Sequence, residues 1–331
     1  MPDHPRPSPE IADEVLVLGG GVAGLACAQA LAEAGQAVRV LERDRIGAAT
    51  SLGNCGTLTP SHALPLAAPG MVGTALRWMF TPDAPFLVRP RWDPELWHWM
   101  LRFAARCNPG TFARAIAPKA ALLTASMDLL DDLVKRRGLD CGYRRDGLTY
   151  VYRDLAAFKA AVSEHLRLTA HGIEVQVWDG ETALADEPCL RPGVVGALHF
   201  PGDGHLRPER YTAELARLVR EDGGVVEEGV AVRRLQRAAG GWYLESADGR
   251  CWTARELLVA AGPWARRLLA PLGLRLPLVP GKGYSITTAR PAQAPRRPLV
   301  LKERSVCITA WDDGFRLGST MEFAGYDARL T

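Results

Sequence analysis

Residues 15–18, VLVL, are apolar without alternation, the pattern of a strand buried on both faces of a parallel sheet. Gly19, Gly20 and Gly21 then make a turn. The alanine-rich stretch 22–34 holds a helical period until Gly35 closes it, and 37–41 is a second apolar strand. These lengths predict one β-α-β unit. From 47 to 69 the chain turns to Gly, Ser, Thr, Asn and Pro, which predicts a long irregular loop. Helices are predicted over 95–106 and 119–137, the second from an apolar face of Leu122, Leu123, Met127, Leu130 and Val134. CGYRRDGLTYVYRD predicts two strands about an Asp146-Gly147 turn; 155–170 is another helix and IEVQVW a half-buried strand. The turn-rich PGDGHLRPER leads into a helix over 208–220 that opens on a proline.

Three further strand signals follow, in GVVEEGVAVRRL, WYLESADG and CWTARELLVAAG; the last is apolar enough to be buried. VPGKGYSIT, RSVCITAWDDG and FRLGSTMEF read as antiparallel strands. Parallel-sheet signals at 13–42 and 208–262 thus flank a different block, and an antiparallel block comes last. The fold class is therefore α/β: a discontinuous Rossmann-like nucleotide domain, 13–69 plus 201–280, with an α+β substrate domain built on an antiparallel sheet, 70–200 plus 281–331. Residues 1–12, proline-rich, read as a disordered leader.

A chain of 331 residues is long enough for two domains, and 47% hydrophobic with 23% charged residues is ordinary for a soluble protein. Forty basic and 37 acidic residues, spread evenly, argue against a nucleic-acid partner. Seven scattered cysteines without metal-ligand spacing argue against a structural metal and for a reducing, cytoplasmic setting. The leader lacks the apolar core of a signal peptide, and no run is long enough to span a bilayer. LWHWMLRF gathers Leu96, Trp97, Trp99, Met100, Leu101 and Phe103 beside Arg102 and Arg106. That surface suits burial against the substrate sheet or a peripheral contact on the inner face of a membrane.

Gly19, Gly21 and Gly24 complete G-x-G-x-x-G between strand and helix. The first glycine permits the turn, the second the approach of a pyrophosphate, and the third close helix–strand packing. The free N–H groups at Val22 and Ala23 begin the helix and face the phosphates. Glu42 ends the second strand, where a carboxylate accepts from both ribose hydroxyls and repels a 2′-phosphate. A nicotinamide domain would continue at once into further β-α-β units. This chain instead enters TSLGNCGTLTP, and its next parallel strand, ELLVAAG, comes far later; the reading is FAD, with the 50–56 loop beside the flavin.

With these residues in place, the chain resembles the FAD-dependent amine oxidoreductases of the D-amino acid oxidase and glycine oxidase superfamily, and among them the bacterial D-amino acid dehydrogenase small subunits. The likeness rests on VLGGGVAGLACAQALAEAG with VLER, TSLGNCGTLTPSHALPLAAPG with RWMFTPDAPF, ELLVAAGPWA, and VPGKGYSIT with FRLGSTMEFAGYD. It implies that Arg43, Thr50 and Ser51 contact adenosine and pyrophosphate. It also implies that Asn54, Gly56 and Leu58 pass along the flavin, that a Val230 backbone amide lies near adenine, and that Gly262 approaches the cofactor. The implied reaction oxidises a (D-)amino acid to an imine, and water then releases a 2-oxo acid and ammonia; the electron acceptor is a quinone or oxygen.

Two departures stand out. Relatives carry a Pro-Arg pair whose arginine holds the substrate carboxylate, where this chain has CITAWDDG. They also continue for several dozen residues past FRLGSTMEF, so a C-terminally truncated chain, or one completed by a partner subunit, is expected. Candidates for holding substrate are Lys282, between two glycines, with Tyr284, Arg316 and His62; for each, a turn, packing or surface role is the alternative. His205 reads as solvated, and Cys55 and Trp264 as packing residues. The rival functions are a glycine- or sarcosine-type amine oxidase using oxygen, and a noncatalytic flavin-binding chain.

Overall fold

The structure, a computed structural model, describes residues 13–78, 86–88, 92–327 and 329. The 1–12 leader and most of RWMFTPDAPF lie outside the described residues. The chain divides into two compact units, one of residues up to Leu52 with Glu209–Leu278, the other of Gly53–Pro208 with residues from Val279 on. Their boundaries fall after 52, 208 and 278, where the composition placed them after 69, 200 and 280. Local pairing accounts for the first shift. Thr57–Leu58 pairs antiparallel with Gly204–His205, and the 3-10 turn Pro60–Ala63 packs on the Pro109–Arg137 helix, so the loop after Leu52 is built into the second unit.

In the first unit, six strands lie in the order Val232–Ala238, Gly241–Ser246, Cys251–Val259, Asp13–Leu18, Val38–Leu41, Val225–Glu227. Asp13–Leu18 runs parallel to both neighbours, with Leu18 opposite Val259 on one side and Leu41 on the other. Leu16 and Val17 are wholly buried, which is why this strand shows no alternation. The Val22–Glu33 helix buries Gly24, Leu25, Ala28 and Ala32. GVVEEGVAVRRL, read as one strand, is two. Gly229 at φ +70 breaks it, its N–H donating to Asp44 O while that of Val230 donates to Glu42 O.

The second unit has a mixed, mainly antiparallel sheet ordered Lys282–Thr288, Gly314–Phe323, Val306–Trp311, Leu299–Leu301, Leu148–Tyr152, Gly196–Phe200, Gln176–Asp179. Leu299–Leu301 runs parallel to Leu148–Tyr152, and Phe86–Val88 parallel to Gly314–Phe323. The expected hairpin about Asp146-Gly147 does not form. Every residue of Leu148–Tyr152 is buried, so that strand takes central neighbours on both sides, while polar Arg144 makes one bridge to His205. The helix expected from 119 starts at Pro109, capped by the Asn108 side chain, and ends at left-handed Gly138. The helix expected over 155–170 is α-helical over Leu155–His165 and 3-10 over Leu166–His171. The unit's core gathers Phe112, Ile116, Tyr150, Leu168, Leu198 and Phe200. The Pro94–Arg106 helix buries Leu96 and packs Trp99 near Phe323, leaving Trp97 and Leu101 exposed.

Burial in this core has a consequence for pH. His165 and His199 are buried, and burial pushes both imidazoles down to about 4 from an ordinary 6.5. Between those values the unfolded chain binds more protons, so their contribution to stability is present above 6.5 and lost as pH falls toward 4. Buried Asp203, raised to about 7 from 3.8, acts in the opposite sense as pH rises through that range. Two histidines outweigh one carboxyl, and the melting temperature is expected to fall as pH drops from 6.5 to 4. A flat melting profile across that window would refute the assignment.

Candidate active site

The first unit supplies a cradle for a dinucleotide. Gly19 has φ +114, and a Cβ there would stand 2.5 Å from Ala260 O. A Cβ on Gly24 would stand 1.9 Å from Gly19 O, so strand turn and helix approach as the motif requires. The helix begins at Gly21 with no side-chain cap from that residue and no acid in its first turn. Ser51 Oγ accepts from Val22 N at 2.9 Å, which places the 50–51 segment at the helix N-terminus with Ala23 and Gly24 following. The Val22 N–H is thus engaged, and the N–H groups of Ala23 and Gly24 that follow it fit a diphosphate.

Glu42 Oε2 accepts from Gly20 N at 2.7 Å and Oε1 from Asp44 N at 2.9 Å. Each oxygen retains a further acceptor position for a ribose hydroxyl. Replacing Glu42 with Gln is expected to weaken retention of the cofactor by roughly 1–3 kcal/mol; equilibrium dialysis showing unchanged affinity would remove this role. The Arg43 guanidinium lies 4.6 Å from the Trp264 ring centroid and bonds Asp44, so Trp264 packs a cation rather than the helix start alone. Gly262, at φ +52, opens the turn after the Cys251–Val259 strand. The Val230 N–H donates to Glu42 O at 2.8 Å, which ties that backbone segment to the end of the Val38–Leu41 strand. A cavity of about 290 Å³ is lined by Arg45, Ile46, Gly47, Leu52, Thr212 and Glu228 among others. None of the motif glycines nor Glu42 lines it, so it is not the diphosphate cradle.

In the second unit the loop expected along the flavin is locked by its own bonds. Asn54 Oδ1 accepts from Gly56 N, and Gly56 has φ +68 with its Cβ position 2.1 Å from Leu206 O. Leu58 pairs with Gly204. Arg316 holds this loop from beneath. It is 4% exposed, donating to Asn54 O at 2.7 Å and to Thr287 Oγ1 at 2.8 Å, with its guanidinium 5.0 Å from the Trp311 ring centroid. Cys55 packs under Gly318, where a Cβ would meet its Sγ at 2.5 Å.

Lys282 and Tyr284 converge on Glu322, which is 1% exposed: Lys282 Nζ lies 3.0 Å from Oε2, and the Tyr284 hydroxyl donates to the same oxygen at 2.5 Å. Burial disfavours the ammonium, but Glu322 and Tyr284 outweigh it and hold the Lys282 pKa above its ordinary value. In this structure Lys282, Tyr284 and Arg316 therefore bond protein groups. His62 differs. It sits in the Pro60–Ala63 turn, which Ser61 fastens by donating from N and Oγ to Asp203 at 3.0 and 2.5 Å. The residue is exposed to solvent, yet neighbouring atoms partly desolvate its imidazole. Crowding, Lys302 and Lys119, with His165, push its pKa to about 4. His205, read as solvated, is buried 3.3 Å from Asp146, because its segment is the Thr57–Leu58 ladder partner. Glu322, Asp203, Tyr150 and Lys302 carried no motif and were missed; a charged residue inside an apolar strand, as in the last three positions of FRLGSTMEF, was the one available signal for Glu322.

A parallel-sheet nucleotide unit with a glycine-lined helix start and a strand-end acid defines a dinucleotide-binding oxidoreductase. The chain belongs to the FAD dependent oxidoreductase (DAO) family, which it matches over residues 14–331. It is 35% identical over 323 residues to a D-amino acid dehydrogenase of Xanthobacter autotrophicus, covering 96% of this chain and 77% of that one. It is 36% identical over 324 residues to a D-amino acid dehydrogenase of Cereibacter sphaeroides, covering 96% and 74%. Among solved structures, glycine oxidase from Geobacillus kaustophilus shares the fold with a TM-score of 0.71 at 23% identity, over 96% of this chain and 74% of that one. L-proline dehydrogenase from P. horikoshii does so with a TM-score of 0.69 at 19% identity, over 98% and 74%.

Proposed function

We propose that the chain catalyses FAD-dependent oxidative deamination of a D-amino acid, giving a 2-oxo acid and ammonia. The observation that carries this reading is the cradle of Gly19, Gly24, Ser51 and Glu42 in a chain 35% identical to D-amino acid dehydrogenases. When bound, FAD would accept the two electrons released as the substrate's Cα–N bond becomes an imine. The chain's own residues bind and orient: Ala23 and Ser51 hold the diphosphate, with the Val22 N–H positioning the Ser51 hydroxyl, Glu42 the ribose, and Thr50, Arg43 and Gly262 the adenosine side. Asn54, Gly56 and Leu58 line the flavin ring, with Arg316 fixing their backbone. No arginine follows Thr309 in CITAWDDG, so the substrate carboxylate takes another cation of the second unit.

The test is an anaerobic titration of the purified yellow protein with paired D- and L-amino acids. Bleaching by D-enantiomers is expected, and a flavin that no amino acid reduces would sink the reading. Slow reoxidation in air with rapid reoxidation by a quinone is the expected acceptor pattern; rapid recovery in air would favour the oxidase. Among the described residues no helix is long and apolar enough to cross a membrane. Trp97 and Leu101, one helical turn apart and exposed, support a peripheral contact, to be checked by co-sedimentation with anionic vesicles.

A further inference from the structure

We propose that the second unit carries an anion-binding subsite around Lys302, Lys119 and His62, and that it selects amino acid substrates bearing a second, side-chain carboxylate. The proposal rests on the deamination reading and names its substrate class.

Lys302 follows the Leu299–Leu301 strand, and its Nζ lies 4.3 Å from the centroid of the Tyr150 ring. That ring face is its contact; among the described residues no carboxylate forms an ion pair with it and no acceptor takes its protons. Burial accordingly lowers its pKa, with Glu164 and Glu303 acting only as more distant charges that raise it. Glu303 itself accepts from Arg153 N and Asp154 N.

The neighbours of the same ring are cationic or neutral. His62 stands 6.0 Å from Tyr150 and is exposed to solvent; His165 meets the ring edge at 5.6 Å. Lys119 donates to Leu64 O and has no carboxylate partner among the described residues. Both lysines depress His62. The remaining acid, Asp203, has both carboxyl oxygens bound by Ser61, and burial raises its pKa to about 7, so near neutral pH it is only partly ionised. A desolvated ammonium without a partner is unfavourable, and a ligand that brings a carboxylate relieves it while a neutral one does not. His62, exposed near the same ring, adds an N–H donor. Discrimination should therefore appear between side chains of equal size that differ in charge.

The experiment compares kcat/KM for D-glutamate and D-glutamine in the FAD-loaded protein and in Lys302→Met and Lys302→Arg. Preference for D-glutamate by roughly tenfold or more is expected, lost in Lys302→Met and partly kept in Lys302→Arg. The ratio is taken within each variant, so general damage cancels. A wild-type preference for D-glutamine, or a ratio untouched by Lys302→Met, would overturn the subsite. Glutarate is titrated in parallel while the His62 ring resonance is followed. A rise in the His62 pKa that Lys302→Met abolishes supports the subsite, and no rise counts against it. If no amino acid is oxidised at all, the deamination reading fails, and the glutarate titration still decides whether the anion site exists.

Discussion

A Gly24→Ala protein is expected to purify colourless, or nearly so, and to melt below the wild type. The new methyl would stand 1.9 Å from Gly19 O and 3.3 Å from the Ala260 side chain. The first of these is backbone, and it has nowhere to retreat, because Gly19 is itself confined at φ +114 against Ala260 O. The helix must therefore lift off the sheet. Overpacking of this kind costs about 1–3 kcal/mol or more. The larger effect falls on the cofactor, since the N–H groups that receive the diphosphate move with the helix start. The flavin-to-protein ratio in the visible spectrum and a thermal melt measure both effects. Gly73→Ala, at a helical glycine with nothing within 4 Å of its Cβ position, is the control for handling. Full flavin content in Gly24→Ala would mean that the cradle does not hold the cofactor.

The second large effect is expected at Arg316. Replacing it with Met keeps a long apolar side chain but removes the donors to Asn54 O and Thr287 Oγ1. Asn54 and Thr287 are exposed, so their acceptors can turn to water, and the loss of the two charge-assisted bonds is expected to cost about 1–3 kcal/mol in denaturant unfolding. Because Asn54 begins the flavin loop, flavin should also dissociate faster, a change that a purely distant packing defect would not produce. Arg316→Lys retains the charge without the planar fork and should recover only part of the loss. Stability and flavin off-rate both equal to wild type would show that the loop is held by its other bonds.

What could be read from the sequence was what adjacent residues encode. The strand–glycine–helix–strand unit and its terminal acid are contiguous, and the structure places Glu42 against Gly20 within that same unit. The antiparallel strands near the end also carry their signals locally. The misreadings arise where a distant partner decides. Leu148–Tyr152 looked like one arm of a hairpin, but its burial on both faces demanded Gly196–Phe200 and Leu299–Leu301 as neighbours. Lys282, Tyr284 and Arg316 were singled out as candidates for holding substrate. Nothing near them announced that Glu322 and Asn54 O would be their partners. Lys302 sits in an unremarkable turn, and only the Tyr150 ring brought over from another strand gives it meaning.

The central position of Asp13–Leu18 in its sheet also bears on how the protein is made. One of its two neighbours, Val38–Leu41, leaves the ribosome almost at once, but the other must await Ala254, which pairs with Asp13. Until then the nascent nucleotide unit has an apolar, unpaired strand edge exposed while the whole intervening block is synthesised and begins to fold. Long-range parallel pairing of this kind closes slowly and leaves aggregation-prone edges open. Overproduction at lowered temperature, or with a chaperone that shields strand edges, should raise the soluble yield of this protein more than changes to its surface charge.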